Sequence, residues 1–310
     1  MLASLHATLP TGLTHEIIFV DDGSTDSTRT WLAGLRDEHV RVLLNERNLG
    51  YAAANNRAAG VARGEVLALL NNDLVLQTGW LEPMLAAHTA LGAKAGVIGN
   101  VQLDAATGVV DHAGLVVNVT GKPVHVRSTP NALARALQPV RPVPAVTGAC
   151  MLIARDLWQQ LGGFDEQYVN GGEDFDLCLR ARTLGRVNAI ALRSIIRHHV
   201  SSSPGRKARD EQNSYRLALR WRDDLADAGT REWCRDYLFQ ALRVPESREY
   251  QLALAALAYV SHARRTPPAE AIAGVKRGLQ REFERWQGMF PNEPHPATKQ
   301  TVAVCLPARP

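Results

Sequence analysis

The stretch EIIFVDDGS (Glu16 to Ser24) decides how the rest of the chain reads. Its β-branched and aromatic run suits a buried strand, and two aspartates followed by a glycine end it. Thr28 to Leu35 then carries apolar residues at helical spacing. The same cadence repeats outward. Val40–Leu44 is a second strand, Tyr51 to Ala62 an alanine-rich helix, and Val66–Leu70 a third strand ending in Asn71-Asn72-Asp73. Trp80 to Leu91 reads as a helix and Gly96–Ile98 as a short strand. Strands alternating with helices predict an α/β fold with a mostly parallel sheet flanked by helices. Such sheets take ligands beyond the carboxyl ends of their strands. Asp21-Asp22 and Asn71-Asn72-Asp73 both fall at such ends.

After residue 100 the pattern changes. Val109–Val119 and Val143–Ala154 read as longer strands, with a proline-bearing loop from Gly121 to Pro144 between them. Asp156 to Leu161 predicts a helix ending at Gly162-Gly163, and Glu173 to Leu184 another ending at Gly185. Val187–Leu192 and Ser194–His199 read as strands. Beyond Ser201–Gly205 the periodicity is helical, over roughly 209–227, 231–242, 249–264 and 269–288. The last twenty residues read as an extended tail.

The 310 residues allow one large domain or a domain with an appendage. With 45% hydrophobic and 21% charged residues, wholesale disorder is excluded. The net charge is 35 − 31 = +4; residues 206–310 carry 18 basic and 13 acidic side chains, so the part before them sums to −1. That part offers no polyanion-binding surface, and no nucleic-acid partner is expected. The longest apolar run, Leu252 to Val260, has nine residues, whereas a membrane span needs about 20. The opening MLASLHATLP lacks the features of a secretory signal. Four scattered cysteines without a CxxC pair fit a reducing cytoplasm.

Three polar clusters and a histidine pair carry the candidate chemistry. The Asp21-Asp22-Gly23-Ser24 turn offers two carboxylates and backbone N–H groups to a polar ligand, or equally caps the following helix. Asn71-Asn72-Asp73 suits a hard divalent cation that takes further ligands from phosphates, or forms a plain turn. Gly171-Gly172-Glu173-Asp174-Phe175-Asp176 places three carboxylates at a helix start. Crowding would raise one of them toward general-base duty, although the helix dipole alone accounts for acids there. His198 and His199, on a strand, point to opposite faces, so only one can meet a site. That one can ligate a metal or serve structure alone. The cysteines and Trp80, Trp158, Trp221, Trp233 and Trp286 read as packing residues.

Taken together, the segments EIIFVDDGSTDST (16–28), NERNLGYAAANNRAAG (45–60), LALLNNDLVLQTGWL (67–81), VTGACMLIARD (146–156), LGGFDEQYVNGGEDFDLCLRARTLG (161–185) and HHVSS (198–202) resemble, in order, the family-2 glycosyltransferases. The likeness is greatest to the rhamnosyltransferase-like bacterial subgroup that builds surface polysaccharides. The resemblance implies a GT-A type nucleotide-diphospho-sugar transferase fold and an inverting transfer to a hydroxyl acceptor. It implies that Asp22, with Asp21 second, meets the nucleotide base and ribose, and that Asn48, Gly50, Asn55 and Asn72 line that pocket. Asp73 stands in the family's D-x-D motif, with Asn71 in place of its first aspartate, and would hold Mg²⁺ or Mn²⁺. His198 would meet the metal or diphosphate, with His199 as the fallback. Asp174 matches the catalytic base. Thr147, Gly148 and Glu173 fall at the sugar and acceptor wall.

The implied partners are a dTDP-, UDP- or GDP-sugar and a glycan or lipid-linked acceptor. A peripheral membrane contact through the Arg-rich tail helices is weighed against a solvated helical cap, giving a place in the cytoplasm or at the inner membrane face. The apolar strand with which relatives begin, ahead of the DDGS strand, is not found before Glu16. The expected organisation is a GT-A domain over 1–205 lacking that first strand, a helical extension over 206–290 and a tail over 291–310. Two other readings stay open: a catalytically inactive nucleotide-sugar-binding relative, and a nucleotidyltransferase. The latter would want a Gly-rich basic phosphate loop near its start, and none is present.

Overall fold

The protein is described from a computed structural model covering residues 1–199, 209–244 and 249–291. Helices and strands alternate in the first hundred residues: α1 (Leu2–Thr8), β1 (Ile17–Asp21), α2 (Thr28–Gly34), β2 (Val40–Leu44), α3 (Tyr51–Val61), β3 (Val66–Leu70), β4 (Leu74–Val75), α4 (Glu82–Leu91) and β5 (Ala95–Asp104). Short elements follow: β6 (Val110–His112), β7 (Leu115–Val117), β8 (Pro123–His125), α5 (Ala132–Leu137) and β9 (Val140–Pro142). Then come β10 (Cys150–Ala154), α6 (Arg155–Leu161), α7 (Glu173–Thr183) and β11 (Val187–His198). The C-terminal helices are α8 (Asp210–Ala228), α9 (Thr230–Arg243), α10 (Tyr250–Val260) and α11 (Ala269–Met289).

A seven-stranded sheet runs β3-β10-β5-β11-β4, with β6 on β5 and β9 on β11. It is mixed: β5 and β11 are parallel, while β10 lies antiparallel between β3 and β5. β1 and β2 form a separate parallel pair. Among the described residues β1 therefore has a strand partner on one edge only, and Ile17 to Val20 are half-buried where the apolar run predicts full burial.

Several boundaries differ from the sequence pattern. The short strand predicted at Gly96–Ile98 is ten residues long. Its continuation carries buried Asn100 and Gln102, whose amides bond to Cys150 Sγ and to each other, so the apolar signal stops before the strand does. The long strand expected over Val109–Val119 is broken at Gly114, where φ is +108°. That over Val143–Ala154 shortens to β10, because Gly148 gives its N–H to a side chain rather than to a ladder. The two strands expected over 187–199 are one, β11, with a register irregularity between Ala191 and Ile195. The loop 201–205, the end of the HHVSS segment and the tail beyond Pro291 lie outside the described residues.

Among the described residues, two larger apolar clusters hold the sheet, and a small one around Cys234, Ala256, Tyr259 and Ala271 joins α9, α10 and α11. Of the larger two, one gathers Leu5, Leu74, Trp80, Met84, Ile98, Leu152 and Ile196. The other joins Trp158, Phe164, Phe175 and Ile190 to Tyr215, Trp221, Phe283 and Trp286, so α8 and α11 share a core with the sheet. The tail helices are charged, but key arginines are engaged: Arg220 pairs with Asp165 and Asp176 at 3.1 Å, and Arg285 with Glu211 and Glu282. α9 and α10 expose Phe239, Leu242, Leu254 and Leu257 among charged neighbours such as Arg235, Asp236 and Arg243. Among the described residues no helix is long and apolar enough to cross a membrane.

Candidate active site

The DDGS turn closes β1. Asp21 is buried; its Oδ1 accepts the Ser24 N–H at 3.3 Å and its Oδ2 accepts from Arg29 Nε at 2.8 Å. Burial pushes this carboxyl upward, yet the bonds from Ser24 and Arg29 outweigh it and hold Asp21 below the usual carboxylate range. Asp21 thus braces the turn. Asp22 reaches across to the loop after β2. It accepts from Asn45 Nδ2 at 2.7 Å, Leu49 N–H at 2.9 Å and Gly50 N–H at 2.8 Å. Gly23 makes this approach feasible: its φ is +80°, and a Cβ there would stand 2.6 Å from Asn48 N. Asn48 Oδ1 shares the Gly50 N–H at 3.1 Å. Asn55 donates to the Tyr51 carbonyl at 2.8 Å.

From that loop a side chain spans to the opposite wall. The Tyr51 hydroxyl donates to the Gly148 carbonyl at 2.7 Å. The Gly148 N–H donates to Oδ2 of Asp174 at 2.9 Å. Neighbouring Ala149 accepts the Asn71 N–H at 2.9 Å, two residues before Asp73. Asp22, Asp73 and Asp174, far apart in sequence, are therefore linked through Gly50-Tyr51, Gly148-Ala149 and Asn71. Thr147, just ahead of Gly148, is buried, and Asn72 is exposed.

The carboxylates opening α7 do not crowd one another as the sequence suggests. Successive helix positions point about 100° apart, and each acid finds its own partner. Glu173 is buried and its Oε2 accepts the Gly171 N–H at 2.8 Å. Asp174 takes Gly148 N–H and, on Oδ1, Phe175 N–H at 2.7 Å. Fully buried Asp176 faces Arg180 Nε at 2.7 Å and Trp221 Nε1 at 2.8 Å. Trp221 leaves helical geometry (φ −120°, ψ 27°) in α8, so this tryptophan anchors a charge as well as packing.

His198 and His199 divide as the strand alternation predicts: the first is buried, the second exposed. His198 Nε2 lies 3.3 Å from Asp73 Oδ1, and its Nδ1 has no hydrogen-bond partner among the described residues. A buried imidazole beside a carboxylate, with ring nitrogens unsatisfied, fits a cation site. No cluster of three or more His, Cys, Asp or Glu side chains gathers among the described residues. The sequence reading missed Tyr51, Asn45 and Arg29, which join the clusters. Tyr51 carried one signal, being the only aromatic residue in an alanine-rich helix.

The model of the family described as Glycosyl transferase family 2 matches residues 1–162. The chain belongs to this family. It is 30% identical to the O-antigen biosynthesis protein RfbC of Myxococcus xanthus over 94% of its own length and 24% of that protein's. It is also 30% identical to the N-acetylglucosaminyl-diphospho-decaprenol L-rhamnosyltransferase of Mycobacterium tuberculosis, over 66% of this chain and 72% of that one. The chain thus spans about a quarter of the RfbC protein. A solved structure of GalNAc-T7 with UDP, GalNAc and Mn²⁺ superposes with a TM-score of 0.57 at 18% identity, covering 95% of this chain and 55% of that one. That likeness shows the GT-A fold.

Proposed function

We propose that the chain transfers a sugar from a nucleotide-diphosphate sugar to a hydroxyl of a glycan or lipid-linked glycan, with inversion, in surface polysaccharide synthesis. The observation that carries this reading is the hydrogen-bonded path from Asp22 through Gly50-Tyr51 and Gly148 to Asp174, with Asn71, two residues before Asp73, docked on Ala149. It supports setting a nucleotide side, a cation corner and a carboxylate base along one connected wall. The named relatives in O-antigen synthesis and rhamnosyl transfer to a decaprenol-linked sugar support the substrate class.

In this reading Asp22, Asn48, Gly50 and Asn55 shape the nucleotide pocket, with Asp21 behind them and Asn72 at its exposed rim. Asp174, held by two backbone N–H groups, removes the proton from the acceptor hydroxyl. The acceptor oxygen attacks the anomeric carbon opposite the nucleotide, and the nucleoside diphosphate leaves. Thr147 and Gly148 form the wall beside the sugar, and Glu173 supports the acceptor side by fixing the Gly171 loop. Asp73 and His198 would hold Mg²⁺ or Mn²⁺, which when bound neutralises charge growing on the diphosphate.

Calorimetric titration with UDP, GDP and dTDP, with and without Mn²⁺ or Mg²⁺, tests the reading. At least one nucleotide should bind, and chelation should weaken it at least about tenfold, one unshared charge contact being worth that much. Failure of all three to bind, with metal present, overturns the reading.

A further inference from the structure

The connector between α6 and α7 carries the chain into the helix that begins Glu173-Asp174, and a side-chain amide grips it at each end. At its start, Asn56 of α3 donates from Nδ2 to the Phe164 carbonyl at 2.9 Å and accepts the Phe164 N–H on Oδ1 at 2.8 Å. A Cβ on the preceding Gly163 would stand 2.4 Å from that Oδ1, so the glycine lets the amide in. At its end, buried Asn213 of α8 donates from Nδ2 to the Val169 carbonyl at 2.9 Å and accepts the Val169 N–H on Oδ1 at 3.4 Å. Each amide thus satisfies both backbone groups of one residue, as a neighbouring strand would.

α8 holds more of the connector than Val169. Arg216 Nη1 donates to the Gln167 carbonyl, and its guanidinium lies 5.9 Å from the centre of the Tyr168 ring. Arg220 Nη1 lies 3.1 Å from Asp165 Oδ2. Asn213, Arg216 and Arg220 share one face of the helix, three and four positions apart, and meet Val169, Gln167 and Asp165 in turn. Beyond Val169 the backbone turns sharply: Asn170, Gly171 and Gly172 have φ of 55°, 156° and 92°, and α7 starts from Gly172. Three successive positive φ angles are not a bend that an L-residue such as Asn170 selects by itself, so what is fixed on either side of it decides where α7 points. The Gly148 N–H meets Asp174 on the far side of the bend, and Asn213 holds the near side.

We propose that Asn56 and Asn213 are positioning residues: they hold the two ends of the connector and so set the direction in which α7 presents Asp174. The clamp itself rests on no reading of function; its bearing on the reaction rests on Asp174 being the base, as proposed above. Asn56 follows Asn55 in α3, the helix that Tyr51 opens. The helix on the proposed nucleotide side and the C-terminal helix α8 therefore both act on the base through the connector. On this account α8 is part of the catalytic unit rather than an appendage to it.

Hydrogen exchange read by mass spectrometry on the full chain tests the clamp. Asn213→Leu keeps much of the side chain's shape and removes both bonds. Amides of Val169 to Glu173 should then exchange at least about tenfold faster, with those of β5 unchanged. Asn56→Leu should do the same for Phe164 to Gln167. Asn213→Ser, smaller and still polar, takes the place of the leucine variant if that one does not fold. Unchanged exchange in the folded variant overturns the clamp. Release of nucleoside diphosphate from UDP-GalNAc, GDP-mannose and dTDP-rhamnose in Mn²⁺, with water as acceptor, tests the bearing on the base. Asn213→Leu should lower kcat at least about tenfold and leave donor KM within about threefold. Val275→Ala empties a buried position against Gly229, at the far end of α8, and should keep wild-type kcat. Wild-type kcat in Asn213→Leu, or an equal loss in Val275→Ala, overturns the positioning role. A wild-type chain that binds none of the three nucleotides and cleaves none of their conjugates overturns the transfer reading and that role together, while exchange still decides the clamp.

Discussion

The Gly148 N–H donates to Oδ2 of Asp174 at 2.9 Å, and the carbonyl of the same glycine accepts the Tyr51 hydroxyl at 2.7 Å. One residue without a side chain thus locates the proposed base and ties it to the start of α3, where Tyr51 stands. A Cβ there would stand 2.8 Å from the Tyr51 hydroxyl, so the ring would have to shift and give up this bond.

Asp174 and Asp176 should separate by assay. Asp174→Asn is expected to lower kcat by about 10²- to 10⁴-fold with nucleotide affinity held. Asp176→Asn leaves Arg180 and Arg220 facing a neutral amide in the core and should cost about 3–5 kcal/mol in urea unfolding. The opposite pattern would reassign the base.

Tyr51→Phe removes the hydroxyl that reaches Gly148. Unfolding free energy should drop by about 1 kcal/mol, read from the urea midpoint. Turnover should fall with it, since the Gly148 peptide that holds Asp174 loses its second tether.

Gly23→Ala meets both a left-handed backbone and the 2.6 Å approach to Asn48 N. It should destabilise the chain by more than about 1 kcal/mol and weaken nucleotide binding. Thermal unfolding with and without UDP, GDP or dTDP measures both effects; a neutral outcome would mean that the turn and the 45–50 loop do not touch.

Stability should decline as pH falls below neutral. The unfolded histidine titrates near 6.5, whereas complete burial at the end of β6 holds folded His112 lower. Between those values the unfolded chain binds more protons. The contribution of His112 is therefore complete above about pH 6.5 and fades as pH falls toward the folded value. Melting curves from pH 7.5 to 5 should show this slope, and His112→Asn should flatten it.

The α/β alternation and the strand-end positions of Asp22 and Asp73 were legible because apolar period and turn residues agree over EIIFVDDGS and LALLNND. Family likeness, not spacing, singled out Asp174 among three acids. What separates it from Asp176 is direction around α7, which depends on where Gly148 and Trp221 fall after folding. β5 was read too short because buried Asn100 and Gln102 look like loop residues until Cys150 lies beside them. The grips of Asn56 and Asn213 on the connector before α7 gave no signal, since they need α3 and α8, far apart in sequence, folded onto the same loop.

Among the described residues, the β1–β2 pair belongs to no ladder of the larger sheet. Much of what tethers its DDGS turn to the rest is side-chain bonding at Asp22 and Tyr51. Such a leaf can open without unzipping the main body, and amide hydrogens of Ile17 to Asp21 should then exchange sooner than those of β5. A molecule lying across both pieces would act as a clasp, slowing that exchange and sensing through one grip whether the two halves are in register.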